Sequence, residues 1–371
     1  MNQDTLDKAV SSLQQERLDA FVVCSPENFA YLAGFVVPSH SILRWRHSMI
    51  IVTADGNKHV FTVDMEESTV KQNLPGVEVR SWREFADCSM VVLADYLKEL
   101  GLENAKLGLE LDYLPARDLE RLSVELPSAA LMDSSEIFSR MRFIKTTREI
   151  DLLRRLSRIS DKAINDAYQS VGLGSSEMDI AAALTRSIYR QGAQDFKFMI
   201  VATGERSQLP NVGPSLRKLE MGDICRVEIF SIVDGYHAGV CRSASVGDPS
   251  PEADEIWSIL ANATRQLVSL IEPGVPTSDV YRKYLKLVEP LDMPPIDFAG
   301  HGIGLHLHEH PYLADADPTV LEAGMVMGIE PLIYKTGHGF GLQNKDMVLV
   351  TETGCELLSD YTNTKELIRV S

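Results

Sequence analysis

The sequence predicts two domains, an α/β domain at residues 1–142 followed by an α+β domain at residues 143–371. The 371 residues correspond to two or three domains at roughly 150 residues per domain. Short apolar runs alternate with helical stretches in the first domain, as expected of an α/β fold. Hairpin segments follow beyond residue 143 and alternate with helices, which indicates antiparallel strands with helices on one face.

Four apolar runs predict strands in the first domain. They are rich in residues that favour strands, and turn signals bound them. The runs are LDAFVVCS (18–25), MIIVTADG (49–56), HVFTV (59–63) and KLGLEL (106–111). The third run follows the second at hairpin distance.

A long amphipathic helix opens the second domain. Thr147 and Glu149 form a helix-start signal. Apolar residues then recur at spacings of 4, 3, 4 and 4, at Leu152, Leu156, Ile159, Ala163 and Ala167. Further periodic stretches predict helices at 176–191 and 252–271, in addition to this one at 149–171.

The strand segments of the second domain contain several unusual residues. Segment 222–248 has two strand-like runs joined at Asp234-Gly235, a strong hairpin signal. Segment 298–311 is rich in glycine and histidine, and the runs 323–334 and 345–354 each include a charged residue. We expect these runs to form one curved antiparallel sheet with helices packed on one face.

The overall charge argues against several classes of partner. Lys and Arg number 36 against 53 Asp and Glu, a net charge of −17, which repels nucleic acid and anionic membrane surfaces. No apolar run approaches the roughly 18 residues of a membrane helix, and the first ten residues lack a secretory pattern. The five cysteines are odd in number and widely spaced, so we expect reduced thiols and a cytoplasmic protein.

The motifs of the second domain, in their order, resemble those of the creatinase / aminopeptidase P / prolidase family, peptidase M24. They are Gly222-Asp223, the DGY turn at 234–236, Arg242, GHGIGLHLHEHP (300–311), GMVMGIEPLIY (324–334) and VLVTETG (348–354). The resemblance covers nearly the whole chain. It implies a creatinase-like N-terminal domain at 1–142 and a pita-bread catalytic domain at 143–371.

Metal-dependent relatives use five ligands, and the resemblance places these at Glu228, Gly239, His301, Glu330 and Lys345. Glycine offers no ligand, and a protonated lysine repels a cation and has no lone pair. We therefore predict that the two-metal centre is absent, that the protein needs no cofactor, and that Lys345 pairs with one or both glutamates. The alternative is that Lys345 points to solvent at a strand end.

The predicted function is a metal-independent, creatinase-like hydrolase that cleaves a C–N bond in a small, carboxylate-bearing nitrogen compound. In this hypothesis Glu330, with Glu228, activates water, and His301 or His308 transfers the proton to the leaving nitrogen. Lys345 stabilises the developing negative charge. His306 and His310 alternate with His308, and a strand here would place all three on one face.

Six further residues are candidates for substrate binding. The loop LRWRH lies where creatinase-like dimers insert a loop into the neighbouring site, so we expect a homodimer. Two other positions match creatinase's acid/base histidine and its second-strand glutamate, and one matches the family's strand arginine. The candidates are Arg44, Trp45, Arg46, Asn211, Cys241 and Arg242. The cysteine is more typical of an inert buried residue than of a nucleophile.

Two alternative functions stay open. One is a catalytically inactive pita-bread binding protein, distinguished by ligand binding without turnover. The other is a single-metal Xaa-Pro-type peptidase, with one ion held by Glu228, His301 and Glu330 if Lys345 swings away.

Overall fold

A computed structural model describes residues 3–294 and 296–371. The chain divides into two compact units, Met1–Arg142 and Phe143–Ser371. Among the described residues, none of the helices combines the length and the apolar character needed to cross a lipid bilayer.

The first unit contains a six-stranded mixed sheet. Its strands are β1 (Ala20–Val23), β2 (Met49–Thr53), β3 (Lys58–Val63), β4 (Glu78–Trp82), β5 (Lys106–Leu109) and β6 (Ala130–Asp133), in the order β4-β3-β2-β1-β5-β6. The helices are α1 (Gln3–Glu16), α2 (Pro26–Ala33), α3 (Glu67–Asn73), α4 (Ser89–Glu99), α5 (Ala116–Glu125) and α6 (Ser135–Phe143). The four strands expected from the apolar runs are confirmed. The pattern missed β4 and β6, which form the sheet edges and are mostly not buried.

Four long helices belong to the second unit, α7 (Thr147–Gln169), α8 (Glu177–Arg190), α9 (Pro251–Val268) and α10 (Thr277–Val288). The predicted helix is confirmed and begins at Thr147, but Thr146, and not the expected Thr147, forms the capping box with Glu149, in which the two residues exchange side-chain and backbone hydrogen bonds. Three short 3₁₀ turns occupy Asp64–Glu66, Gly204–Gln208 and Glu289–Leu291.

The strands of the second unit form a four-stranded sheet, a five-stranded sheet and a separate pair. They are β7 (Asp195–Thr203), β8 (Ile224–Val233), β9 (Tyr236–Val246), β10 (Gly300–Gly302), β11 (Glu309–Tyr312), β12 (Val326–Ile329), β13 (Leu332–Ile333), β14 (Leu342–Gln343), β15 (Asp346–Val350), β16 (Cys355–Leu357) and β17 (Ile368–Val370). Their orders are β17-β9-β8-β7, β11-β10-β12-β15-β16 and β13-β14.

The hairpin β8–β9 turns at Asp234-Gly235, as predicted. Val233 pairs with Tyr236, and both turn residues have positive φ, 51° and 84°, as a type I′ turn requires. Both strands are buried along their whole length. Polar side chains on these strands therefore lie inside the protein, which makes them candidates for a functional site.

Candidate active site

Three strands place the central residues of the site side by side. Glu228 on β8 is paired in register with Cys241 on β9. Cys241 in turn forms an isolated bridge to Lys345, with N···O distances of 3.3 and 3.1 Å. This bridge links the four-stranded sheet to the segment that leads into β15. It brings the Lys345 side chain to the glutamate two strands away.

The Lys345 ammonium lies between two glutamates. Its Nζ is 3.1 Å from Glu228 Oε1 and 2.7 Å from Glu330 Oε2, and its side chain has no exposed surface. The predicted pairing of Lys345 with both glutamates is confirmed. The alternative, a lysine pointing to solvent, is wrong.

Gln343 contacts both carboxylates, and Arg226 in turn contacts Gln343. Gln343 Nε2 donates to Glu228 Oε2 at 3.1 Å and to Glu330 Oε1 at 2.9 Å. Its Oε1 accepts from Arg226 Nη1 at 2.6 Å. Arg226 also donates to the carbonyl oxygens of Leu209 and Pro210. The sequence analysis did not identify Gln343 or Arg226 as part of the site.

These contacts explain the direction in which each pKa shifts. Burial alone would raise the pKa of Glu330, but the Lys345 ammonium and His301 outweigh burial and lower it. Burial, with the adjacent charge of Glu330, raises the pKa of Glu228 despite Lys345. Burial opposes the charge on Lys345, but the two glutamates raise its pKa. The ammonium and the Glu330 carboxylate are therefore both charged at neutral pH.

His301 lies on β10 with one ring nitrogen engaged and the other facing a carboxylate. Its Nδ1 is 2.8 Å from the carbonyl oxygen of Gly302 and donates to it. Burial, and then the charge of Lys345, lower the pKa of His301, so the neutral ring carries no proton on Nε2. That nitrogen lies 3.3 Å from Glu330 Oε2. His301 Nε2 has no hydrogen-bond partner among the described residues, whereas Glu330 Oε2 is paired with the Lys345 ammonium at 2.7 Å.

His308 stacks on His301, with ring centroids 3.6 Å apart and planes 13° from parallel. Burial, together with His301 and Lys345, lowers the pKa of His308 to about 3. The strand expected around His306, His308 and His310 is wrong, because β11 begins only at Glu309. The Glu309 carboxylate accepts hydrogen bonds from two backbone N–H groups of the preceding segment, each 3.2 Å long. These bonds stabilise a loop in place of a strand.

Two of the five expected ligand positions do not fit a two-metal centre. Lys345 supplies a cation where a carboxylate is required. Gly239 supplies no side chain, and a Cβ added there would overlap the Phe230 ring, whose Cζ would be 2.6 Å away. The residues present therefore do not fit a pair of divalent ions.

A single ion fits the residues better. His301, His308 and Glu330 each offer one ligand atom, and these atoms lie within 4.8 Å of one another. Two imidazoles and one carboxylate match a catalytic zinc site, which keeps a further position open for water or substrate. The unprotonated Nε2 of His301 is a second indication, since this buried acceptor lies 3.3 Å from Glu330 Oε2 and has no hydrogen-bond partner among the described residues.

The other candidate residues lie in varied surroundings. Arg44 and Trp45 are exposed in the first unit, and Arg46 pairs with Glu84 at 2.8 Å. Asn211 is exposed in the loop directly after Pro210, whose carbonyl oxygen accepts from Arg226.

Cys241 and Arg242 are both buried. Burial raises the pKa of the Cys241 thiol, which keeps it protonated and unreactive. Arg242 forms ion pairs with Asp161 at 2.9 Å and with Asp346 at 2.8 Å. These contacts give Arg242 a role in joining α7 to β15.

The fold and the site together define a two-domain hydrolase with a pita-bread second domain. The sequence pattern of the Creatinase/Prolidase N-terminal domain matches residues 6–144, and that of metallopeptidase family M24 matches residues 151–352. Because the second match covers more than half of the chain, the protein belongs to metallopeptidase family M24, whose peptidases hydrolyse C–N bonds.

Similar proteins support the fold along the whole chain. An Xaa-Pro dipeptidase of Pyrococcus furiosus is 27% identical over 360 residues, covering 96% of this chain and 97% of its own. The crystal structure of a prolidase from Thermococcus sibiricus has a TM-score of 0.89 at 26% identity and covers 100% of this chain and 99% of its own. An X-Pro aminopeptidase from Thermotoga maritima has a TM-score of 0.87 at 25% identity, with coverages of 98% and 99%. The pita-bread prediction is confirmed.

The predicted metal-independent, creatinase-like reaction is wrong. The chain belongs to a metallopeptidase family, and the similar proteins are Xaa-Pro peptidases. The prediction did not consider that, despite the loss of two ligand positions, His301, His308 and Glu330 form a group that could hold an ion. The alternative of a single-metal Xaa-Pro-type peptidase agrees with these findings. Its ligand set differs from the expected one, because His308 and not Glu228 lies with His301 and Glu330 in the group that could hold an ion.

Proposed function

We propose that this protein is a peptidase of small peptides that cleaves the bond before proline, and that it uses a single metal ion held by His301, His308 and Glu330. The similar proteins named for Xaa-Pro cleavage support the substrate class. The observation that carries the proposal is the group of His301, His308 and Glu330, whose ligand atoms lie within 4.8 Å of one another. Within it, His301 Nε2 is buried and has no hydrogen-bond partner among the described residues.

Each residue of the site has a distinct part in this proposal. An ion bound to the His₂Glu set supplies Lewis-acid activation of the peptide carbonyl. Lys345 and Gln343 hold the Glu330 carboxylate in one orientation. His308 is more exposed than His301, and its neutral ring faces the substrate. Asn211, in the exposed loop, and the buried Cys241, which is paired with Lys345, complete the proposed surroundings of the substrate.

The proposal includes a cytoplasmic homodimer. The resemblance to creatinase-like dimers supports a role for the loop of Arg44, Trp45 and Arg46 in the site of a second copy. An arginine suits the carboxylate of a peptide, and an exposed tryptophan offers an apolar wall. Light scattering coupled to size exclusion tests the dimer, and cell fractionation tests the location. A monomer at micromolar concentration would contradict the role of the loop.

A dipeptide panel tests the activity. The chelated protein receives one equivalent of Zn²⁺, Mn²⁺ or Co²⁺ and is assayed on Ala-Pro, Ala-Ala and Ala-Pro-amide. We expect turnover of Ala-Pro and little of Ala-Ala. Glu330→Gln and His308→Asn should each lower kcat/KM by about 10²- to 10⁴-fold. The exposed His338 provides the control His338→Asn, which should stay within about twofold of the wild type because His338 contacts none of the site residues.

Three outcomes would overturn the proposal. Full activity in excess chelator would show that the reaction does not need the ion. Unchanged kcat/KM in Glu330→Gln would show that the reaction does not take place at this site. Binding of Xaa-Pro peptides without turnover by any of the three ions would favour the alternative of an inactive binding protein.

A further inference from the structure

We propose that Lys345 and Phe230 together replace one of the two divalent ions expected for this family, so that the protein binds no more than one ion per chain. The inference rests on the proposed function in taking His301, His308 and Glu330 as the place of the remaining ion. Two separate observations carry it, one on volume and one on charge.

An aromatic ring fills the space that a metal ligand from the second hairpin strand would need. Phe230 and Gly239 face each other across the β8–β9 pair, and the ring covers the glycine so closely that no Cβ fits there. Phe230 lies two residues from Glu228 and therefore on the same face of β8. The ring thus occupies the space into which a ligand from the second hairpin strand would project.

The charge is supplied by the ammonium. Lys345 Nζ lies 4.5 Å from the centroid of the Phe230 ring, in the range of a cation–π contact. The same nitrogen contacts one oxygen of each glutamate. Gln343 donates to the two oxygens that Lys345 leaves free. All four carboxylate oxygens therefore have a donor, so a bridging ion would have to displace the lysine and the glutamine together.

The backbone makes this arrangement rigid. Lys345 is tied to Cys241 by two backbone hydrogen bonds. A Cβ added at Gly328 on β12 would lie 3.2 Å from Lys345 Cε, closer than ordinary contact distance. The lysine stem therefore runs through a narrow passage between β9 and β12. Withdrawal of its ammonium to admit an ion would require these strands to move.

The experiment counts metal ions and needs no substrate. Wild type, the double variant Phe230→Gly/Gly239→Asp and the triple variant Phe230→Gly/Gly239→Asp/Lys345→Glu are each saturated with Mn²⁺ or Zn²⁺, desalted and measured by inductively coupled plasma mass spectrometry. Circular dichroism and thermal unfolding establish that each variant is folded. Anomalous diffraction locates the ions.

We expect at most one ion per chain in the wild type and two in the triple variant. The double variant opens the space but keeps the ammonium, so its expected count is again at most one. The comparison of double and triple variants therefore isolates the charge of Lys345.

Two ions in the wild type would overturn the inference directly, whether or not any variant folds. Two ions in the double variant would overturn the role assigned to Lys345. A folded triple variant with one ion would show that ring and ammonium do not replace the missing ion. Failure of the wild type to cleave any Xaa-Pro peptide would contradict the proposed function but would not affect the number of metal ions counted per chain.

Discussion

Replacing Lys345 by methionine tests how much the buried ammonium contributes to stability. Its Nζ lies 2.7 Å from Glu330 Oε2 and 3.1 Å from Glu228 Oε1. At an effective dielectric constant of about 20, each attraction amounts to roughly 5–6 kcal/mol before the cost of desolvation is subtracted. Methionine preserves most of the stem but leaves two buried carboxylates without their shared cation. Breaking a buried ion pair in this way costs about 3–5 kcal/mol, which is the loss expected in the free energy of unfolding.

The loss in the free energy of unfolding caused by Lys345→Met should depend on pH in a defined direction. In the wild type the pKa of Glu330 is lowered, so its stabilising contribution is fully present above the unfolded pKa of about 4.3 and is lost as pH falls from there through the lower folded pKa. Without Lys345, one of the two carboxylates has its pKa raised above the unfolded value. That group contributes fully at low pH and ceases to contribute as pH rises through its folded pKa. The difference between wild type and Lys345→Met should therefore be larger at pH 7.5 than at pH 5.

The assay is urea unfolding with a chelator present, combined with hydrogen exchange of β8 and β9. The matched control is Lys162→Met, since Lys162 pairs with Asp166 at 2.8 Å but is 40% exposed. An exposed pair of this kind contributes about 0–1 kcal/mol. Equal losses in the two variants, or a loss in Lys345→Met that is the same at pH 5 and pH 7.5, would refute the reasoning.

Three further predictions concern other buried groups. Burial, and then the neighbouring His47, lower the pKa of His40 to about 4, so the free energy of unfolding should fall as pH drops from about 6.5 to 4. In urea titrations His40→Leu should reduce this dependence on pH by up to about 1.4 kcal/mol per pH unit. An unchanged pH dependence would contradict the prediction. The Cys241 thiol is buried with a raised pKa and should react with a disulfide reagent only after unfolding; rapid reaction of the folded protein would contradict its assigned place. Glu177 is fully buried and pairs with Arg206 at 3.1 Å, so Glu177→Gln should lower the free energy of unfolding by about 2–3 kcal/mol; a loss below about 0.5 kcal/mol would show that the pair is dispensable.

Local signals in the sequence were sufficient for much of the framework. The helix start near Glu149 and the Asp234-Gly235 turn each depend on residues close in the chain, although the cap of the helix is Thr146 and not the expected Thr147. The pairing of Lys345 with the glutamates could also be anticipated, because a buried cation beside two buried carboxylates has few other ways to be satisfied.

The environment of the carboxylates could not be predicted in the same way. Gln343 lies more than 100 residues from Glu228 in the chain, and its amide has no pattern that distinguishes it from a surface residue. The loop before Glu309 was expected to be a strand because histidines alternate there. Its conformation depends instead on one carboxylate accepting two backbone N–H groups. Such contacts are a property of the folded chain and not of local periodicity.

The loss of two metal ligands changes the charge that the site presents to a substrate. In the part of the chain that the structure describes, Arg226, Lys345, Glu228 and Glu330 form a buried group, whose charges sum to zero when Glu228 is ionised. One divalent ion bound beside this group leaves an excess of about two positive charges. The acidic residues at the surface offset little of this excess positive charge, because exposed charges are screened beyond about 10 Å. A substrate with its own negative charge near the cleaved bond offsets the excess, and a free dipeptide has its terminal carboxylate one residue away. A preference for Ala-Pro over Ala-Pro-amide therefore follows from the same substitutions that prevent a second ion from binding.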